Sequence, residues 1–386
     1  MRADTFTVVA DDDKELFVHR FLPDEGTAAK AIVHIAHGMA EHGARYARAA
    51  EALTRAGYVV YADDHRGHGQ TAKGELGYIA ESGGFYRVVK DLALLIAREK
   101  KDNPGLPAVL FGHSMGSYYT QAFLIEHGKE IAGAVLSATS GKPSLLASAG
   151  RVFARIERLR LGSRGKSTIL NKLSFDQFNV PFKPNRTAFD WLSRDPAEVD
   201  KYVADPLCGF ICTTSLWVDL LDTLGEIADP QRQRHIPSEL PVYVFCGTED
   251  PVGERTKSVD QLLGAYRAAG LHKVTHRYYL GGRHGDAQRD EPRRVTKDSS
   301  PGSTRISLVL RREGSSARRG RSSSPQNLTQ RRKGAKRREE SAPILLLASL
   351  RSLRLCVEIG SSKSSSGFLG TARSVERKTQ PYPVLT

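Results

Sequence analysis

The sequence predicts an α/β fold: a mostly parallel central sheet with helices on both faces and a helical cap inserted into it. Three observations carry that reading. Short continuous apolar runs alternate with helix-length segments, as expected of parallel strands buried on both faces. The alternation stops between about 140 and 237, a span too long for an ordinary connection and helical in its own patterning, so it reads as a cap. Beyond His284 the composition turns to Ser, Arg and Gly. The chain therefore divides into a core of 1–139 and 238–284, a cap of 140–237 and a basic low-complexity tail of 285–386, which is expected to be disordered because it has little apolar surface to offset chain entropy.

Taken in order, the strands are "LFVHRF" 16–21, "KAIVHIAH" 30–37, "YVVYADD" 58–64, "PAVLFGH" 107–113, "IAGAVLSA" 131–138, "PVYVFCG" 241–247 and "HRYYL" 276–280. Each is a short β-rich run, and stretches of helical patterning separate them. Helices fit at 43–56, 84–101, 115–127 and 256–269.

The net charge of +14 would suggest an anionic partner, but its distribution argues otherwise. Up to residue 284, 35 Lys and Arg face 34 Asp and Glu; residues 285–386 carry 22 against 9. The basic character belongs to the tail. Its arginines have almost no aromatics among them, so stacking on bases is unsupported and no nucleic-acid partner is expected. Cys208, Cys212, Cys246 and Cys356 form no CxxC pair and sit in no histidine cluster at ligand spacing, which predicts reduced thiols in a cytoplasmic protein and no metal. The opening "MRADTFTVVADDDK" does not read as a secretory leader, and no apolar run approaches the roughly 20 residues of a membrane span.

The chemistry concentrates at "LPAVLFGHSMGSYYTQAF". A strand leads into Gly112-His113-Ser114-Met115-Gly116 and a helix follows, the context that a nucleophile elbow requires. Small residues allow the sharp turn, and the helix N-terminus favours developing negative charge. Such a serine needs a base and the base an orienting acid, in the chain order Ser, acid, His. "VYVFCGTEDPVG" ends a strand with Glu249 and Asp250, of which Asp250 is preferred, and "RYYLGGRHGD" delivers His284. Two backbone N–H groups are needed for an oxyanion. They are assigned to Met115 and, in the loop after an earlier strand, Met39.

Together "HGMAEHGARY" (37–46), "DDHRGHGQT" (63–71), "GHSMGS" (112–117) and "GTEDPVG" (247–253) resemble the monoacylglycerol lipase and lysophospholipase branch of the α/β-hydrolases, over about residues 1–284. The resemblance implies the α/β-hydrolase fold, a triad of Ser114, Asp250 and His284, and cleavage of a small acyl-ester lipid through an acyl-enzyme, with no cofactor. It leaves peptides and thioesters as alternative substrates of the same scaffold. It also implies a structural role for Asp64, His65 and Arg66. In the cap, Leu146, Ala149, Val152, Phe153, Ile156 and Leu159 follow helical spacing with Arg151, Arg155, Arg158 and Arg160 near the other face. That pattern reads first as a cap helix packing its apolar face inward with a solvated basic face, and alternatively as an apolar face along an acyl pocket with arginines that meet phosphate or membrane headgroups.

The ending departs from the pattern. Relatives of this branch continue after the histidine as "EMLNETNRDEVTKDLIAWLD", whereas this chain reads "GDAQRDEPRRVTKDSSPGST". Codons exist for which one deleted and one restored base interconvert the two, so the tail is consistent with translation out of frame. Without the terminal helix, His284 is expected to be loosely held.

Overall fold

The computed structural model describes residues 1–286, apart from the side chains of 145–147. Residues 287–386, with nearly all of the basic tail and the altered ending, lie outside the described residues.

The strands are β1 (Arg2–Val9), β2 (Glu15–Leu22), β3 (Ala31–Ala36), β4 (Tyr58–Asp63), β5 (Ala108–His113), β6 (Gly133–Ser137), β7 (Val242–Gly247) and β8 (Val274–Tyr279). They form one sheet in the order β1-β2-β4-β3-β5-β6-β7-β8. β1 and β2 pair antiparallel, as do β2 and β4, and every later pairing is parallel. β3, β4, β5, β6 and β7 are buried along their whole length, which is why they read as unbroken apolar runs. The predicted seven strands lie in this sheet. β1 adds an eighth: it is an edge strand whose first four residues, Arg2–Thr5, are all exposed, so it lacks the apolar run that marked the others.

Helices α1 (Ala47–Arg55), α2 (Gly84–Asp102) and α3 (Met115–His127) connect the strands. α3 lies inside the protein with Met115 through Ile125 buried, so its faces differ little in polarity. The segment predicted at 43–56 divides into a short 3₁₀ turn, Gly43–Tyr46, and α1.

Between β6 and β7 the chain leaves the sheet and builds α4 (Leu145–Leu161), several short helical turns and the longer helix Thr214–Ile227. α4 is where the structure corrects the sequence. Of the apolar face expected to turn inward, Ala149, Val152, Ile156 and Leu159 are exposed, Leu159 at 88%. Only Phe153 reaches the cavity beneath, beside Gly150, while the Leu146 side chain lies outside the described residues. Phe153, Ala154 and Glu157 are the residues turned toward the protein, and the charge on Glu157 takes the inward face off any apolar period. The arginines are also engaged: Arg151 and Arg155 with Asp222, Arg158 with Glu81, Arg160 with Glu157. Among the described residues no helix is long and apolar enough to cross a membrane.

Candidate active site

The parallel register sets the site. Ala36 of β3 lies beside Gly112 of β5, and His113 beside Ser137 of β6, so β3, β5 and β6 end together; β7 and β8 finish in step at Gly247 and Tyr279. The loops leaving this edge carry His37-Gly38-Met39, Ser114, Asp250 and His284. Ligands of open α/β sheets bind at this carboxyl edge.

Ser114 occupies φ 52°, ψ −121°, a strained conformation for a residue with a side chain. The flanking glycines make the turn possible by close approach. A Cβ on Gly116 would lie 2.1 Å from the Ala36 carbonyl oxygen, and one on Gly112 would lie 2.4 Å from that of Gly116. Either would push α3 off the sheet. The Ser114 N–H donates to the Ser137 carbonyl at 2.9 Å, and Met115 opens α3, where the first N–H groups have no partner within the helix.

The loop after β3 is braced from two sides. The His65 N–H donates to His37 Nε2 at 3.0 Å, so the His37 proton sits on Nδ1, which donates to the Gly38 carbonyl at 2.7 Å. Burial, with His65 and His68 beside it, pushes the His37 pKa well down and keeps the ring neutral. Because the peptide is planar and trans, fixing the Gly38 carbonyl toward His37 turns the Met39 N–H the other way. The Gly38 N–H is taken by Glu41 Oε1 at 2.7 Å, an atom that also accepts from the Tyr46 hydroxyl at 2.8 Å. Burial alone would raise the Glu41 carboxyl; Arg45, His113, His37 and the Gly38 N–H hold it at about 2. Glu41 stood within the motif read at 37–46, but only Met39 was singled out there.

Asp250 is fully buried, and its Oδ1 lies 2.9 Å from His284 Nδ1 and accepts from the Val252 N–H at 3.0 Å. Glu249 is turned to the surface near Arg255, at 3.4 Å. His284 is 2% exposed, with its ring 4.8 Å from Trp191 and 5.0 Å from His113. Burial, then the neighbouring His284, lowers the His113 pKa to about 4, so His113 adds no charge beside it. The expectation of a loosely held His284 fails within the described residues: its N–H donates to the Trp191 carbonyl at 3.3 Å and that of Gly285 to the Leu192 carbonyl at 2.7 Å. The cap thus ties the backbone that carries the histidine. Trp191 gave no signal in the sequence, because one aromatic residue in a cap reads as packing.

The side chains of Asp64, His65 and Arg66 serve structure, and only the His65 N–H reaches the site, through His37. Asp64 accepts from the N–H groups of Gly43 and Gln70, His65 bonds Asp63, and Arg66 is paired with Asp12 and Asp91.

Two chambers meet at Ser114. One, of about 380 Å³, is mainly apolar and includes Tyr118, Phe153, Trp217, Leu220 and Leu224. The other, of about 110 Å³, holds His284 with Glu41, Arg45, Arg48, Glu198 and Tyr202. An apolar chain fits the first and a polar group the second, with the serine between them.

Residues 27–287 match the family model described as serine aminopeptidase, S33. The chain is 30% identical to human monoglyceride lipase over 69% of this chain and 82% of that protein. It is 31% identical to the monoacylglycerol lipase of Mycolicibacterium smegmatis over 61% of this chain and 77% of that one. Among solved structures, a thermostable carboxyl esterase from Bacillus coagulans in complex with glycerol superposes with a TM-score of 0.71 at 24% identity, covering 80% of this chain and 98% of that one, a likeness of fold.

Proposed function

The chain belongs to the serine aminopeptidase S33 family of α/β-hydrolases, in its monoacylglycerol lipase branch, and from that premise we propose which residues hydrolyse the ester and where the protein meets its lipid. It is a carboxylic ester hydrolase acting on monoacylglycerol esters. Ser114 is the nucleophile, His284 the general base and Asp250 the acid that orients it. The observation that carries this is the 2.9 Å contact between Asp250 and His284 Nδ1, in a loop that opens into the chamber lined by Ser114.

Ser114 Oγ attacks the ester carbonyl while His284 Nε2 accepts its proton. The bond to Asp250 keeps the remaining imidazole proton on Nδ1 and steadies the imidazolium. The N–H groups of Met39 and Met115 stabilise the oxyanion. Collapse of the tetrahedral intermediate breaks the ester C–O bond, and the departing alcohol takes the proton from His284. Water, deprotonated by the same ring, then releases the fatty acid from Ser114. The acyl chain occupies the apolar chamber and the glycerol the polar one. The test is a hydrolysis panel of monoacylglycerols, lysophospholipids, p-nitrophenyl esters and aminoacyl amides. Monoacylglycerols should turn over fastest, and preference for an aminoacyl amide would overturn the reading.

Val152, Ile156 and Leu159 recur along one exposed face of α4, the helix whose Phe153 lines the acyl chamber, with arginines on its flanks. This supports peripheral contact with a lipid surface, from which an insoluble substrate must be drawn. Ile156→Asp with Leu159→Asp should weaken co-sedimentation with anionic lipid vesicles severalfold while leaving hydrolysis of p-nitrophenyl acetate unchanged. Equal vesicle binding by the double variant would rule out this face. A cytoplasmic location is consistent with the unpaired thiols of Cys208, Cys212 and Cys246.

A further inference from the structure

We propose that Asp286 is a positioning residue for His284: it locks the histidine loop onto the cap segment 190–194, so that the seating of the base depends on the cap. The inference rests on His284 being the base.

Asp286 is 0% exposed and is not spent on the core. Its Oδ1 accepts from the Ser193 hydroxyl at 2.5 Å, and its Oδ2 from the N–H groups of Arg194 at 3.0 Å and Arg283 at 2.9 Å. Two of those donors belong to the cap and one to the loop's own backbone. A single carboxylate therefore joins segments more than ninety residues apart in the chain. Arg194 Nε, 3.8 Å from Oδ2, adds a positive charge beside it.

The same two segments are tied at other points on either side of His284. Arg283 donates through Nη1 to the carbonyls of Asp190 at 2.6 Å and Ser193 at 3.1 Å, and its guanidinium lies over the Phe182 ring at 4.3 Å. The His284 and Gly285 N–H groups reach the Trp191 and Leu192 carbonyls, and the Trp191 ring covers the imidazole. On the core side, the loop's ties are different in kind. The Gly282 carbonyl accepts from the Glu249 N–H at 2.9 Å, and His284 itself meets the core through its bond to Asp250.

The loop thus hangs between two bodies. Asp250 fixes the direction of the ring, and the cap fixes the backbone that carries it. A buried carboxylate that accepts several N–H and O–H bonds is costly to leave half satisfied, so this clamp is either closed or broken. With it broken, the ties through Arg283, His284 and Gly285 are left to hold the loop on the 190–194 segment, and a base displaced by about 1 Å costs on the order of 10²-fold in rate. Movement of the cap to admit a long acyl chain would then withdraw the base until the cap returns, delaying attack until the substrate is enclosed.

The test uses the full chain with Asp286→Ala, Asp286→Asn and Ser193→Ala. Steady-state kcat and KM are measured on p-nitrophenyl acetate, which is too short to need the apolar chamber, and on a long-chain monoacylglycerol. Folding is checked by circular dichroism melting, and His284→Ala is run alongside. The clamp predicts that kcat falls with both esters while KM for the short one stays within about twofold. The loss should be about 10²-fold for Asp286→Ala and smaller for Asp286→Asn, which keeps one accepting oxygen, and for Ser193→Ala. Should Asp286→Ala fail to fold, the other two variants decide by the same criterion. Full kcat on p-nitrophenyl acetate in the folded variants, with only the monoacylglycerol KM raised, would mean the contacts hold substrate and would overturn the proposal. If His284→Ala retains activity, the assignment of the base falls, whatever Asp286 does.

Discussion

Ser114 and His284 line one chamber, yet they are held by opposite means. Ser114 is held by sheet register and by glycines at van der Waals limits: Gly112 and Gly116 let β5, α3 and the end of β3 touch. His284 is held by hydrogen bonds to a cap segment that has neither strand nor long helix. The sheet side is preorganised by the fold, which exists before any substrate arrives. On the cap side, order depends on two segments finding each other. On the proposed assignment, the comparison teaches that the nucleophile is a property of the core, while the base is shared between core and cap.

Substitutions on the sheet side should show the largest effects and leave the fold intact. Ser114→Ala removes only the attacking oxygen and is expected to lower kcat by about 10⁶-fold, with fluorophosphonate labelling abolished and the melting temperature little changed. Undiminished labelling would place the nucleophile elsewhere.

Asp250→Asn should follow at about 10⁴-fold, because an amide in place of Oδ1 favours the wrong imidazole tautomer. Glu249→Gln tests the neighbouring position, where the carboxylate faces Arg255 at the surface. It should change kcat by less than about twofold, since surface pairs are worth little. A reversal of the two results would exchange the acids.

Glu41→Gln sharpens the comparison within the sheet side itself. The carboxylate takes the Gly38 N–H and the Tyr46 hydroxyl while neutralising Arg45. A Gln keeps one acceptor and leaves Arg45 without its partner. Loss of a full oxyanion donor costs about 10²–10³, and a loosened loop should cost less, roughly tenfold in kcat with the KM for p-nitrophenyl acetate steady. An unchanged kcat would show that His37 alone fixes the Gly38–Met39 peptide.

The same division explains what was legible in the sequence. Strands β3 to β7 stood out because burial on both faces writes itself as apolar runs, and β2, β8 and helices α2 and α3 through their β-rich or helical patterning in regular alternation with them. The elbow was legible because Gly112 and Gly116 are demanded by contacts that no larger residue permits. β1 was missed because six of the eight residues of this edge strand are exposed and none is buried. The inward face of α4 was misread because it includes a charged residue, Glu157, which an apolar period passes over. Trp191 and Ser193 drew no individual reading, and Asp286 stood in the segment that delivers His284 without a role of its own. Their roles come from hydrogen bonds between segments remote in sequence, and no local period records those.

The last and smallest effect on turnover concerns a charge network beneath the sheet side. His34 of β3 is 0% exposed, with Nδ1 2.7 Å from Glu99 and Nε2 3.1 Å from Asp63, which in turn bonds His65. Burial opposes a charged His34, but the Glu99 and Asp63 carboxylates overcome it and raise its pKa to about 10. Asp63, despite its own burial, is held low by His65 and His34. In the unfolded chain His34 returns to about 6.5. The folded state therefore binds the extra proton between those two values, and stability falls as pH rises wherever the native chain holds more protons than the unfolded one. The contribution is complete below about pH 6.5, declines through the range above it and is gone beyond about pH 10. Over pH 7 to 9 that amounts to at most about 2–3 kcal/mol, enough to lower the melting temperature by several degrees. At 25 °C, far below the transition, kcat should not follow this decline, because the network touches neither Ser114 nor His284. Melting curves between pH 6.5 and 9.5 provide the check: a flat profile would mean that His34 is neutral in the folded protein, with the proton residing on Glu99.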